Sequence, residues 1–169
     1  MRAWVRVLGI DPGFRLTGYG IVDTNGQQSK HVANGVIDVR KQDGTAARLE
    51  GIYAGVKQLV ESYQPNEMAV ERVFVAKNAD SALKLGQARA AAICASFGAT
   101  VEVYEYAARE VKQAVVGRGA ADKAQVQHMV KMLLGIREDL QADAADALGI
   151  ALCHAHRRSA TQRIAEAAQ

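Results

Sequence analysis

Cysteine and proline are scarce, with two of each in 169 residues. Cys94 and Cys153 lie in Ala-rich helical patterns without metal-ligand spacing, which excludes a disulfide framework or thiolate metal centre and predicts buried free thiols. No apolar run approaches the ~20 residues of a membrane span. The N-terminus passes straight into a strand-like segment without a signal peptide's apolar stretch, so a cytoplasmic protein with no membrane role is expected. The sequence also lacks an internal repeat, a linker and a Gly-x-x-x-x-Gly-Lys-Ser/Thr phosphate loop, and no Ser, His and Asp arrangement for nucleophilic catalysis is apparent.

What is present is an ordinary globular composition, 49% hydrophobic and 23% charged, enough for a single core. One domain is expected over residues 1–158, with 159–169 as a weakly specified tail. A net charge of +3 does not identify a partner. Its distribution is more informative. Lys77, Lys84, Arg89, Arg109, Lys112, Arg118 and Lys123 precede an acidic group of Glu138, Asp139, Asp143 and Asp146.

The run from Val5 reads as a buried strand ending at Asp11, stopped by Pro12-Gly13. Residues 17–23 and 31–39, joined through Asn25-Gly26, continue it as an antiparallel meander. Leu49, Ile52, Val56 and Leu59 form the stripe of an amphipathic helix over 45–63, ended by Pro65. Residues 68–71 are a short apolar strand that again closes on an acid, Glu71. A helix capped by Asn78 or Asp80 runs to about Ser96, a fifth strand spans 100–104, and helices follow at about 107–115 and 123–134. The last helix is expected from Asp139, as N-cap, to about His156. His154 and His156 near its end are expected to meet carbonyls rather than metal, and His128 to lie on a helix surface. Trp4 is expected to pack on the sheet edge or lie exposed. This order gives an α/β domain: a mixed five-stranded sheet with helices on both faces.

An acid at the end of a buried strand must be paired, neutralised or bound to a cation. Asp11 and Glu71 both pose that problem, and Asp143 and Asp146, three apart on a helix, present both carboxylates on one face. Four converging carboxylates repel one another unless a cation joins them, and their hard oxygens select Mg²⁺ or Mn²⁺. A pair of such ions can cut a phosphodiester. Singly, each acid has a structural alternative: a turn start at Asp11, an ion pair at Glu71, a complement to the helix dipole at Asp143. The constellation makes the argument.

Four blocks resemble the RuvC family of bacterial Holliday-junction resolvases: LGIDPGFRLTGYG at 8–20, VERVFVAKNADSALKLGQAR at 70–89, YAAREVKQAVVG at 106–117 with DKAQVQHMV at 122–130, and ADAADALGIA at 142–151. The resemblance implies a ribonuclease-H-like fold and a homodimeric, Mg²⁺-dependent endonuclease (Mn²⁺ as alternative) with two ions per site. Such an enzyme nicks opposed strands of a four-way DNA junction symmetrically, alongside a branch-migration machinery of the RuvA and RuvB type. It assigns Asp11, Glu71, Asp143 and Asp146 as metal ligands and Phe74 as an aromatic stacking on an unpaired base. Lys112 and Lys123 become basic groups near the scissile phosphate, while Lys77, Lys84, Arg89 and Arg118 are weaker candidates for DNA contact. The helix over 79–96 offers a small and apolar face for a two-fold partner.

Three alternatives compete. An actin-like phosphate-binding ATPase also runs a strand into Asp-x-Gly but needs two such domains, more than 169 residues provide. A non-catalytic junction-binding protein would have no need of all four acids. A ribonuclease H acting on RNA–DNA hybrids shares fold and metal chemistry, and only the blocks around Phe74 and Lys112 speak against it.

Overall fold

A computed structural model describes residues 3–72 and 78–167, with side chains described as far as residue 160. The elements in chain order are β1 (Val5–Asp11), β2 (Leu16–Thr24), β3 (Ser29–Asp38), α1 (Gly44–Tyr63), β4 (Glu67–Glu71), α2 (Ala79–Cys94), β5 (Glu102–Tyr106), α3 (Ala108–Val116), α4 (Lys123–Leu134) and α5 (Ala142–Ala167). The expected mixed five-stranded sheet is present in the order β3-β2-β1-β4-β5. β1, β2 and β3 form the antiparallel meander, and β4 and β5 add to it in parallel.

Alternation along β1 builds two cores. Val7, with Ala69 of β4, faces a layer made by α3, α4 and α5, where Val111, Val126, Val130, Leu148 and Leu152 are buried. Leu8 and Ile10, with Met68 and Val70, face the opposite layer, closed by Ile52, Val56 and Leu59 of α1 and by Ala88 and Ala92 of α2. Both faces of the central strands are thus covered, which is why they read as nearly continuous apolar runs.

The helix ends follow their local chemistry. Gln64 terminates α1 in the left-handed region, at φ +47°. The Asn78 side chain accepts from the Asp80 and Ser81 backbone N–H groups, settling the cap of α2 on Asn78. Asp122 and Gln125 form a reciprocal capping box at α4.

Several boundaries differ from expectation. β5 sits at Glu102–Tyr106 rather than 100–104, because pairing with β4 in the register Glu67↔Glu102 to Glu71↔Tyr106 brings Tyr106 into the core. α5 begins at Ala142, where the Ala145 N–H bonds the Gln141 carbonyl. Asp139 is exposed and pairs with Lys131 at 3.4 Å instead of capping. α5 continues past His156 to Ala167. Cys153 is buried as expected, but Cys94, on the last turn of α2, is exposed, and both thiols are free. Trp4 is 43% exposed with the Lys30 ammonium 4.6 Å over its ring. His128 lies on the surface of α4, as expected. Among the described residues, no helix is long and apolar enough to cross a membrane.

Candidate active site

β1 and β4 are parallel neighbours, so their final residues, Asp11 and Glu71, emerge at the same edge of the sheet. The turn after Asp11 is fixed by Thr17, whose buried hydroxyl donates to the Gly13 carbonyl at 2.9 Å and accepts from the Gly13 N–H at 3.3 Å. α5 lies across β1 and β2, bringing its first turns, with Asp143 and Asp146, over the same edge. That approach depends on two glycines. A Cβ on Gly9 would stand 2.1 Å from the Ala147 carbonyl oxygen, and one on Gly18 would stand 2.0 Å from the Asp143 carbonyl oxygen. Neither helix nor strand could hold this separation with alanine there.

A cavity of about 180 Å³ opens between these elements, lined by Asp11, Glu71, Asp146, Lys112 and Lys123 over apolar walls that include Val111, Val126 and Ile150. Burial, followed by the charges of Glu71, Asp146 and Asp143, pushes the Asp11 carboxyl up to about 8, with Lys123 opposing. Glu71 is likewise raised, first by burial and then by Asp146, with Lys123 and Lys112 opposing. The Lys123 ammonium pairs with Asp146 at 2.7 Å, a hydrogen bond that raises its own pKa against burial. The arrangement therefore gathers negative charge in a partly enclosed space with lysines at its side. Asp143 contributes charge toward Asp11 but is not among the cavity-lining residues.

The donor set suits a hard divalent cation: carboxylate oxygens only, with Glu71, Asp146 and Asp143 raising the proton affinity of the buried Asp11 carboxyl, which a cation would instead stabilise ionised. Among the described residues, no three His, Cys, Asp or Glu side chains stand close enough together to hold an ion as they are placed.

Of the remaining sequence candidates, Lys112 is part-buried and faces the cavity. Lys84 pairs with Asp80 at 2.7 Å on the surface of α2, and Arg118 is exposed after α3. The Arg89 guanidinium is turned to the protein, donating from Nε to the Glu71 carbonyl at 3.2 Å and pairing with Glu105. Phe74 and Lys77 lie outside the described residues. The sequence reading missed Gly9 and Gly18. Their signal was there: glycines on one face of adjoining strands, opposite a helix rich in alanine. The bracing contacts of Arg89 had no such signal. His154, expected to meet carbonyls, instead lies buried between Tyr106 and Glu67, whereas His156 Nδ1 is 3.0 Å from the Ala114 carbonyl of α3.

The family model for crossover junction endodeoxyribonuclease RuvC matches residues 7–154. The RuvC of Methylococcus capsulatus is 57% identical over 159 residues, covering 94% of this chain and 95% of its own. That of Vibrio vulnificus is 56% identical over 150 residues, covering 89% and 86%. The structure of Thermus thermophilus RuvC in complex with a Holliday junction substrate superposes with a TM-score of 0.86 at 34% identity, covering 93% of this chain and 96% of that one. The match spans every element that supplies an acid, and the fold is the ribonuclease-H-like resolvase fold. By sequence along nearly its whole length and by fold, the chain belongs to the RuvC family of crossover junction endodeoxyribonucleases.

Proposed function

We propose that this chain, a Holliday-junction resolvase, cuts through a centre built from Asp11, Glu71, Asp143 and Asp146, which hold Mg²⁺, two ions per site, with Mn²⁺ able to substitute. The observation that supports the assignment is the convergence of Asp11 and Glu71, at the ends of two parallel strands, with Asp146 of α5 on one cavity, where burial and the neighbouring acids push the Asp11 carboxyl up to about 8. Such a cluster of like charges gains the fold nothing in stability. When bound, the ions activate water for attack on the phosphodiester and stabilise charge on the leaving oxygen.

The protein's own groups do the rest. Asp11 and Glu71 stand at strand ends on one edge of the sheet, so they set where the scissile phosphate is held. Lys112 and Lys123 lie beside them and contact the phosphates on either side, and Lys123 exchanges Asp146 for phosphate as DNA enters. Phe74, following Glu71 by three positions, stacks on a base unpaired at the crossover.

The chain acts as a homodimer in the cytoplasm with a branch-migration machinery of the RuvA and RuvB type. α2 supports the dimer: Leu83 is 69% exposed, and Phe97, just beyond the helix, is 70% exposed. Two identical sites suit a two-fold junction, because paired nicks on opposed strands leave ligatable duplexes.

A mobile four-way junction incubated with Mg²⁺ or with Ca²⁺ tests the reading. Wild type gives paired, symmetrical nicks in Mg²⁺, while Asp11→Asn binds without cutting. Retained cleavage by Asp11→Asn overturns the mechanism, and preferential digestion of an RNA–DNA hybrid offered alongside overturns the substrate.

A further inference from the structure

Glu71 is held less firmly than its position in a sheet suggests. The β1–β4 ladder ends at Ile10↔Val70, so Glu71 has a strand partner only on the β5 side, opposite Tyr106. The Arg72 N–H, donating to the Tyr106 carbonyl at 2.7 Å, is the last ladder bond there among the described residues. The Glu71 carbonyl is taken instead by α2: Arg89 Nε donates to it at 3.2 Å, while the same guanidinium pairs with the Glu105 carboxylate. Glu105 immediately precedes Tyr106 on β5. One planar group therefore ties a helix to the last residue of β4 and the penultimate residue of β5. The Arg89 side chain is 20% exposed, with Nε and Nη2 engaged by these two acceptors. A guanidinium suits this task because its fork addresses two acceptors in fixed geometry, which an ammonium does not.

We propose that Arg89 is a positioning residue for Glu71, holding the end of β4 so that the carboxylate is presented correctly, and that it does not act by contacting DNA. The inference rests on the reading of Glu71 as a metal-holding acid. Outer-shell groups that orient carboxylate ligands are worth 10- to 100-fold in metal affinity or activity, about the effect expected here.

The test uses the full chain with Arg89→Met, Arg89→Lys, Glu105→Gln, the Arg89→Met/Glu105→Gln double variant, and Asp11→Asn as control. Junction affinity is measured in Ca²⁺ over a range of salt, and single-turnover cleavage at saturating protein over a Mg²⁺ titration. For Arg89→Met we expect affinity within about twofold of wild type, an unchanged salt slope, cleavage slower by about 10- to 100-fold and a higher half-saturating Mg²⁺. Arg89→Lys recovers part of the rate. Glu105→Gln loses less, and the double variant is no worse than Arg89→Met, because both changes release one restraint. A weakened affinity with a shallower salt slope and an unchanged saturated rate would make Arg89 a phosphate contact and overturn the proposal, as would a rate that does not move. Should Arg89→Met fail to fold, Glu105→Gln, at a 44% exposed carboxylate, decides: an unchanged rate and Mg²⁺ requirement overturn it. Cleavage surviving in Asp11→Asn would instead refute the metal centre, a separate result.

Discussion

The two ends of β4 are handled in opposite ways. At its start, Glu67 lies 2.6 Å from His154 Nε2 and accepts from Arg158 Nε at 3.0 Å, while the Tyr106 hydroxyl lies 2.7 Å from His154 Nδ1. A carboxylate only accepts, so Nε2 carries the proton and donates to Glu67, leaving Nδ1 to accept from Tyr106. One tautomer of a neutral imidazole satisfies all its partners, although His154 is only 2% exposed. At the other end, Glu71 faces Asp11 and Asp146, with lysines only at the side of the cavity. α5 passes both ends, with Asp146 and His154 roughly two turns apart. The satisfied end ties α5 to β4 and β5 through His154 and Arg158. On the proposed reading of the acids, stability and chemistry are separated along one strand and one helix.

Substitutions can break this contrast, and the largest effect falls on the repulsive end. Asp11→Asn removes junction cleavage by about 1000-fold or more. In EDTA it raises stability, by about 2 kcal/mol or about 5 °C, because the fold no longer has to bury a carboxyl that is pushed to about 8. Thermal unfolding beside a cleavage assay reads both. An Asp11→Asn variant melting below wild type would show that the acids do not strain the fold.

Next in size is the seat of α5. Gly18→Ala puts a methyl group where the Asp143 carbonyl oxygen now lies, so helix and strand must part. Misplacing the first turn of α5 by about an ångström slows cleavage by about 100-fold while destabilising by about 1–3 kcal/mol. Single-turnover kinetics at saturating DNA would show it. If the rate holds, the position of α5 does not govern the acids.

His154→Phe gives the converse pattern of Asp11→Asn. It keeps a ring in the buried space but strips Glu67 and the Tyr106 hydroxyl of a partner, at a cost of about 2–3 kcal/mol. Cleavage per folded molecule at 20 °C or so stays near wild type. A large loss of activity without loss of stability would make the network part of the active site.

The repulsive end was legible in the sequence and the satisfied end was not. Asp11 and Glu71 stood out because a charge closing an apolar run breaks the pattern locally, and Asp143 and Asp146 because helical spacing puts them on one face. The antiparallel meander and the mixed five-stranded sheet with helices on both faces followed from the same periodicity and the family resemblance; the strand order did not. Glu67, Tyr106 and His154 break no local pattern: Glu67 merely precedes the apolar run of 68–71, and His154 reads as a helix-end histidine. Their partnership spans 87 residues between Glu67 and His154, a separation no window of sequence covers. The start of β5 was misjudged for a related reason, since pairing with β4 outweighed the β-propensity of Thr100 and Val101. Arg89 read as one more basic residue until its acceptors were known.

The finest distinction lies in pH. In the fold, burial lowers the pKa of His154 below 6.5, against the pull of Glu67. A depressed histidine contributes stability that is present above the unfolded value and lost as pH falls, because the unfolded chain takes up a proton that the folded one resists. Asp11 has the opposite sign to an ordinary carboxylate: with its pKa raised from 3.8 to about 8, its contribution is present below pH 4 and lost as pH rises through 8. In EDTA the stability advantage of Asp11→Asn over wild type therefore widens from pH 5 to pH 8. The advantage of wild type over His154→Phe narrows between pH 7 and 5.5, by about 1 kcal/mol or less. If that second gap widens on acidification instead, the imidazole is protonated and ion-paired with Glu67, and the end of β4 described as neutral and satisfied is held together by charge after all.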